Sequence, residues 1–169
     1  MVLEEKSVLS PIIFVTHWMD LAVCPIEFEF PRSVEFSVPG RPRGKERPRT
    51  VRIGGHITTY TPKQTVEYEN LVRARYKESA GDIYLENSIR ADIEAIYPIP
   101  KSATKKEKAG MLSGEIPCTK KPDCDNIGKI ILDALNKTAY DDDSQACKLF
   151  VEKSYGEEPQ VKVRLSELT

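Results

Sequence analysis

The chain has 169 residues, 40% of them hydrophobic, with 25 lysines and arginines against 26 acids and a formal charge of −1. That length supports one domain with a real core and leaves too little for two, and a balanced charge neither requires nor excludes a nucleic-acid partner. Four cysteines without a Cys-x-x-Cys pair, two histidines, an N-terminus opening on Glu4-Glu5-Lys6 and the shortness of every apolar run speak against structural zinc, secretion and membrane spanning; a cytoplasmic protein with free thiols is expected.

Residues 1–32 mix short apolar runs with Pro11, Pro25 and Pro31 and show no sustained period. They read as a poorly ordered extension, rather than an added edge element, ahead of a domain spanning 33–169. Residues 1–35 hold six acids and two bases, so they carry −4 and the remainder +3. Alternation over 34–38 predicts a strand, stopped by Pro39-Gly40. Residues 41–49 follow with five bases, one acid and two prolines. Proline and glycine prevent a regular helix there. A solvated basic loop and a phosphate-contacting arm built on Arg41, Arg43, Lys45, Arg47 and Arg49 both fit this composition.

Gly54-Gly55 predicts a turn between two short strands. Thr61 as N-cap, Pro62 in the first turn and Gln64 at the capping-box position predict a helix over 62–79, with Val66, Leu71, Val72 and Tyr76 as its apolar stripe. Tyr68 fits either the core or the surface. Alternation over 89–97 predicts a half-buried strand ended by Pro98 and Pro100. Residues 101–121 hold six lysines and two glutamates. A connection this long is unusual unless it has a task, and room exists for a short helix between Lys101 and Met111. Lys101, Lys105, Lys106, Lys120 and Lys121 are candidate phosphate contacts.

Ile127, Ile130, Ile131, Ala134 and Leu135 fall on one face of a helix, with Asp125 or Asn126 as its cap. Lys129 and Asp133 are spaced to pair on another face, and Gly128 permits close packing. Strands over 146–153 and 160–165 complete a small α+β domain, a mixed sheet with helices packed against it.

The cluster around this helix carries the chemistry. In an extended lead-in, Asp123 and Asp125 point the same way and Cys124 points into the core. The helix N-terminus favours both carboxylates. Asp143, just before the next strand, is placed to return to them. Three carboxylates suit a hard divalent cation beside a phosphate, and Lys129 sits one turn beyond Asp125, where it can stabilise developing negative charge. The plainer reading is that Asp125 caps a helix and Asp141–Asp143 form a solvated turn. The glycine and final glutamate of an EF-hand loop are missing.

The stretch Lys121-Pro-Asp-Cys-Asp-Asn-Ile-Gly-Lys-Ile-Ile-Leu-Asp-Ala-Leu135, followed by Ala139-Tyr-Asp-Asp-Asp-Ser-Gln145, resembles the RusA family of Holliday junction resolvases from bacteria and prophages. The basic segment Pro39–Arg49, Tyr97-Pro-Ile-Pro100 and Val151–Pro159 fit the same picture. The resemblance implies a homodimeric, Mg²⁺-dependent endonuclease, with Mn²⁺ as a substitute, that makes paired nicks in four-way DNA junctions during recombination and repair. It assigns catalysis to Asp123, Asp125, Lys129 and Asp143, and metal ligation to Asp123, Asp125, Asp143 and its neighbour Asp142. It leaves Asp133 as a structural member of the helix. A nuclease for flaps, forks or single strands is an alternative, as is a noncatalytic protein that binds branched DNA.

Overall fold

The computed structural model describes residues 32–53 and 55–168. The extension expected over 1–32 lies, except for Arg32, outside the described residues. In chain order the elements are β1 (Ser33–Pro39), β2 (Arg49–Ile53), β3 (His56–Tyr60), α1 (Lys63–Ala80), β4 (Ile89–Pro98), α2 (Lys105–Leu112), α3 (Cys124–Leu135), a 3-10 turn (Asp143–Gln145), β5 (Ala146–Gly156) and β6 (Gln160–Glu167).

Four strands form one mixed sheet in the order β1-β6-β4-β5. β6 runs antiparallel to both β1 and β4, while β4 and β5 are parallel. A parallel neighbour cannot be reached by a tight hairpin, so the chain must cross over the sheet. That crossing contains α2 and α3, and it explains why the lysine-rich connection is long. The α+β reading with a small mixed sheet holds.

Period-2 alternation puts Val34, Phe36 and Val38, Ala91, Ile93 and Ala95, and Val161, Val163 and Leu165 on one buried face. Helices α1 and α3 cover it and pack on each other. The other face presents Glu35, Ser37, Arg90, Lys162 and Arg164 to solvent. The apolar stripe of α3 is fully buried, and Gly128 lies against β5. A Cβ there would stand 3.0 Å from the Leu149 side chain, so the close packing expected of this glycine is present.

Two details of α1 differ from the sequence reading. Pro62, not Thr61, occupies the N-cap position, and no side chain caps the helix. Gln64 instead accepts a hydrogen bond from Arg43 at 2.8 Å. Its buried face is Thr65, Tyr68, Glu69, Val72, Tyr76 and Ala80, while Val66 is exposed. Two polar residues on the inner face hid the true stripe. Glu69 is tolerated there because a lysine reaches it from the basic segment.

Strands β2 and β3 form the expected hairpin. All five β3 residues are exposed, so the hairpin stands clear of the core. Among the described residues, no helix is long and apolar enough to cross a membrane.

Candidate active site and nucleic-acid groove

Helix α3 begins at Cys124, with Asp123 at the N-cap in an extended conformation, φ −77° and ψ 160°. Asp125 therefore lies in the first helical turn. The extended lead-in that would align the two carboxylates is absent, because the helix starts earlier than its apolar stripe suggests. Both remain at the positive end of α3, where unpaired backbone N–H groups and the helix dipole offset negative charge. Both are exposed. Asp123 makes no side-chain capping bond, so its oxygens stay available. Cys124 is only half-buried and not the core residue expected; Cys118 fills that role.

The later acidic segment returns to α3 through Tyr140. This buried tyrosine donates to the Leu132 carbonyl of α3 at 2.9 Å. Burial, reinforced by the charges of Asp143 and Asp133, pushes its phenol far up and keeps it neutral. Three residues on, Asp143 opens the 3-10 turn beside α3, half-buried. Asp142 is differently occupied. Its carboxylate accepts from the Ser144 backbone N–H at 3.0 Å. Hydrogen bonds from Ser144 hold its pKa below the usual carboxylate range. Gln145 fastens the turn: its amide oxygen accepts from the backbone of Asp141 and Asp142, and its nitrogen donates to the carbonyls of Glu86 and Asn87.

Among the described residues, no three histidine, cysteine, aspartate or glutamate side chains stand close enough together to hold a metal ion. The expected convergence of Asp123, Asp125 and Asp143 into a ready-made cage is thus not seen. The donor chemistry still suits Mg²⁺, which takes oxygen ligands and commonly binds one or two carboxylates plus substrate phosphate and water. Lys129 is exposed one turn beyond Asp125 and lies 3.9 Å from Asp133, the pairing expected from their spacing.

The basic segment folds over the start of α3. The Lys45 backbone N–H donates to the Asn126 carbonyl at 3.2 Å. Gly44 is what permits this approach, since a Cβ there would lie 2.7 Å from Pro122 Cβ and 2.8 Å from Asn126 Nδ2. The Lys45 ammonium turns inward, bonding Glu69 of α1 and, at 3.0 Å, Asp133 of α3. Burial by itself would lower the Lys45 pKa, but hydrogen bonds and charge from Glu69 and Asp133 outweigh it and leave the pKa raised. Lys45 thus ties loop, α1 and α3 together, while Arg41, Arg43, Arg47 and Arg49 remain exposed.

Between loop and helix runs a groove of about 820 Å³, lined by Arg41–Arg49 and by Lys121, Asp123 and Asn126. Basic side chains and one candidate catalytic carboxylate therefore share a single concavity. The other lysines, Lys101, Lys105, Lys106, Lys120 and Lys121, are exposed on and around α2. Lys153 of β5 was not singled out by sequence, yet its ammonium donates to the Lys120 carbonyl at 3.0 Å and the Pro122 carbonyl at 3.4 Å, bracing the backbone just before Asp123. No local pattern could have found it, or Glu69, because their partners lie far away in sequence. Gly44, alone among charged neighbours, was the one visible hint.

A family model described as Endodeoxyribonuclease RusA matches residues 39–166. The chain is also 33% identical over 138 residues to "Uncharacterized protein YqaN" of Bacillus subtilis (strain 168), an alignment covering 80% of this chain and 97% of that protein. The matched region includes the basic loop, both acidic segments and every strand of the main sheet from Pro39 onward.

Proposed function

The chain belongs to the RusA endodeoxyribonuclease family, and from that premise we propose that it is a Mg²⁺-dependent endonuclease that acts as a homodimer and nicks opposing strands of four-way DNA junctions. Family membership supports nuclease-type activity on branched DNA in general. The observation that carries the finer reading is the groove in which Asp123 faces a wall of exposed arginines at the positive end of α3.

In this reading the arginines grip phosphates and orient the junction without reading its sequence. Asp123, Asp125, Asp143 and Asp142 would supply oxygen ligands to Mg²⁺, whose remaining positions substrate phosphate and water would fill, since among the described residues no three such side chains are already gathered. When bound, that ion supplies positive charge against the phosphate and a Lewis acid for activating water. Water adds to phosphorus, one ester P–O bond breaks, and the products are a phosphate monoester and a hydroxyl. Lys129, on the exposed face of α3, offsets charge that grows on the phosphate oxygens as that bond breaks. Asp133 stands 3.9 Å from that ammonium, one turn along the helix.

The test is cleavage of a four-way junction with mapped nicks, with and without Mg²⁺, beside matched flap, fork and duplex substrates. Symmetric nicks on the junction alone, only with metal, are expected. Preferred cutting of flaps or single strands would move the substrate class. Tight junction binding with no cutting in Mg²⁺ or Mn²⁺ would make the protein a noncatalytic binder.

A further inference from the structure

A two-stranded ribbon leads off the end of the basic groove. Strands β2 and β3 pair with each other and, among the described residues, with no strand of the main sheet. They contact chiefly one another. A lone pair of strands is marginal in water and normally gains stability from something packed against it. From Arg49 to Tyr60 the chain holds two arginines, one histidine and no acid, although acids outnumber lysines and arginines in the whole sequence. A partner that packs on this ribbon is therefore expected to be negatively charged.

Ile57 is the most exposed large apolar side chain among the described residues, at 69%. A single exposed isoleucine carries no message by itself, but the place of this one does. It lies one pair back from the turn, opposite Arg52 in the register and so on the same face. The opposed threonines Thr50 and Thr59 continue that face toward the base of the ribbon. Arg49 is both the first residue of β2 and part of the groove wall, so the ribbon is continuous with the proposed DNA contact. β2 carries the tip about 14 Å beyond Arg49, from a rise of about 3.4 Å per residue over the four steps to Ile53. That exceeds the depth of a major groove, roughly 8.5 Å, which is wide enough to admit a two-stranded ribbon.

We propose that the ribbon enters DNA at the branch point, with Ile57 wedged against the interrupted base stack and Arg52 on the phosphate beside it, and that Ile57 sets the preference for branched over continuous duplex DNA. This role rests on the branched-DNA reading above and adds to it the side chain that selects. An apolar wedge inserted between stacked bases must first unstack them. That cost is smallest where bases are already unpaired or strands change partners. The same wedge is thus unfavourable in a continuous duplex and favourable at a junction. The arginines bind phosphate in both alike and cannot make that distinction.

The test measures binding by the full chain without divalent metal, so that it is read apart from cleavage. The probes are a four-way junction carrying 2-aminopurine next to the crossover and a continuous duplex carrying the same base in the same sequence. The wild-type protein is expected to bind the junction more tightly and to raise 2-aminopurine fluorescence there and not in the duplex. Ile57→Ser is expected to weaken junction binding about tenfold and duplex binding less than about twofold, the scale of one lost wedge contact, and to abolish the fluorescence rise. Its melting temperature should be unchanged, because the side chain is exposed. Ile57→Leu should keep both signals. Arg52→Ala should weaken both DNAs alike and reduce the salt slope by about one. Equal loss on junction and duplex in Ile57→Ser, unchanged selectivity, or a retained fluorescence rise overturns the wedge. Altered sedimentation with unchanged selectivity would assign Ile57 to a contact between proteins and overturn it as well. A wild type that binds the junction no tighter than the duplex would sink the branched-DNA reading itself. Ile57→Ser that keeps its selectivity and still nicks junctions in Mg²⁺ would sink the ribbon's role alone.

Discussion

Asp123 differs from the later acids Asp141 and Asp142 in what already holds it. Asp142 caps a turn and Asp141 pairs with Lys137 at 3.0 Å, whereas Asp123 makes no capping bond. Replacing each of Asp123, Asp125 and Asp143 with asparagine keeps shape and removes hard-cation ligation. Single-turnover junction cleavage is expected to fall by about 10²–10³ or more in each variant, the scale of a lost transition-state contact, with junction affinity retained on the same preparations. Full activity in Asp123→Asn and Asp125→Asn would exclude the proposed site. Lys45 predicts a different pattern. Lys45→Met leaves Glu69 and Asp133, whose side chains are 12% and 19% exposed, with only the longer contacts to Arg73 at 3.8 Å and Lys129 at 3.9 Å as counter-charge. The cost in urea melts should be about 1–3 kcal/mol, less than for a fully buried pair because water still reaches the lysine. Its raised pKa fixes the sign of the pH effect. The stabilisation is complete below the ordinary lysine value and fades only as pH rises through the raised one. Lys45→Met should therefore flatten the alkaline loss of stability and leave the shape of the neutral range unchanged.

At the scale of elements, the meeting of the basic loop with α3 is the most sensitive joint. Gly44→Ala forces a Cβ against Pro122, a rigid ring that cannot swing aside, at 2.7 Å. Overpacking of this kind typically costs about 1–3 kcal/mol. Here the loop is expected to lift from α3, lowering junction affinity and cleavage together, as titration and cleavage on one sample would record. Such joints were hidden in the sequence. The buried face of α3 was legible because five aliphatic residues keep a helical period. The inner face of α1 was not, because Thr65 and Glu69 break its stripe and only the distant Lys45 makes Glu69 acceptable. The onset of α3 was misplaced because Asp123, Asp125 and Asn126 are all good caps, and period alone cannot choose among them. The acidic residues were visible as a cluster; what holds them, Tyr140, Gln145 and Lys153, acts through contacts with no spacing to betray them.

For the whole molecule, charge is divided more than it is unbalanced. Residues 1–35 carry −4 and the rest +3, and the arginines of the loop line one groove. Junction affinity should therefore fall steeply with salt. Arg47→Ala with Arg49→Ala is expected to weaken binding and reduce the slope of log affinity against log salt by about one per residue, with little change in folding. An unchanged slope would remove this loop from the DNA contact.

The strand order has a further consequence, for the order of synthesis. β6 is the last described strand to be made, yet it lies inside the sheet, hydrogen-bonded to β1 on one side and β4 on the other. Until Gln160–Glu167 leaves the ribosome, β1 has no neighbour and the inner edge of β4 stands open. From Pro98 to Gln160 the ribosome adds 62 residues (160 − 98), a wait of roughly 3–12 s at about 5–20 residues per second. Through that interval the nascent chain displays unpaired strand edges flanked by Val34, Phe36, Ile93 and Ala95, the surface that holding chaperones bind. A nascent chain stalled before Gln160 should be protease-sensitive throughout, and release of the remaining residues should protect all four strands at once.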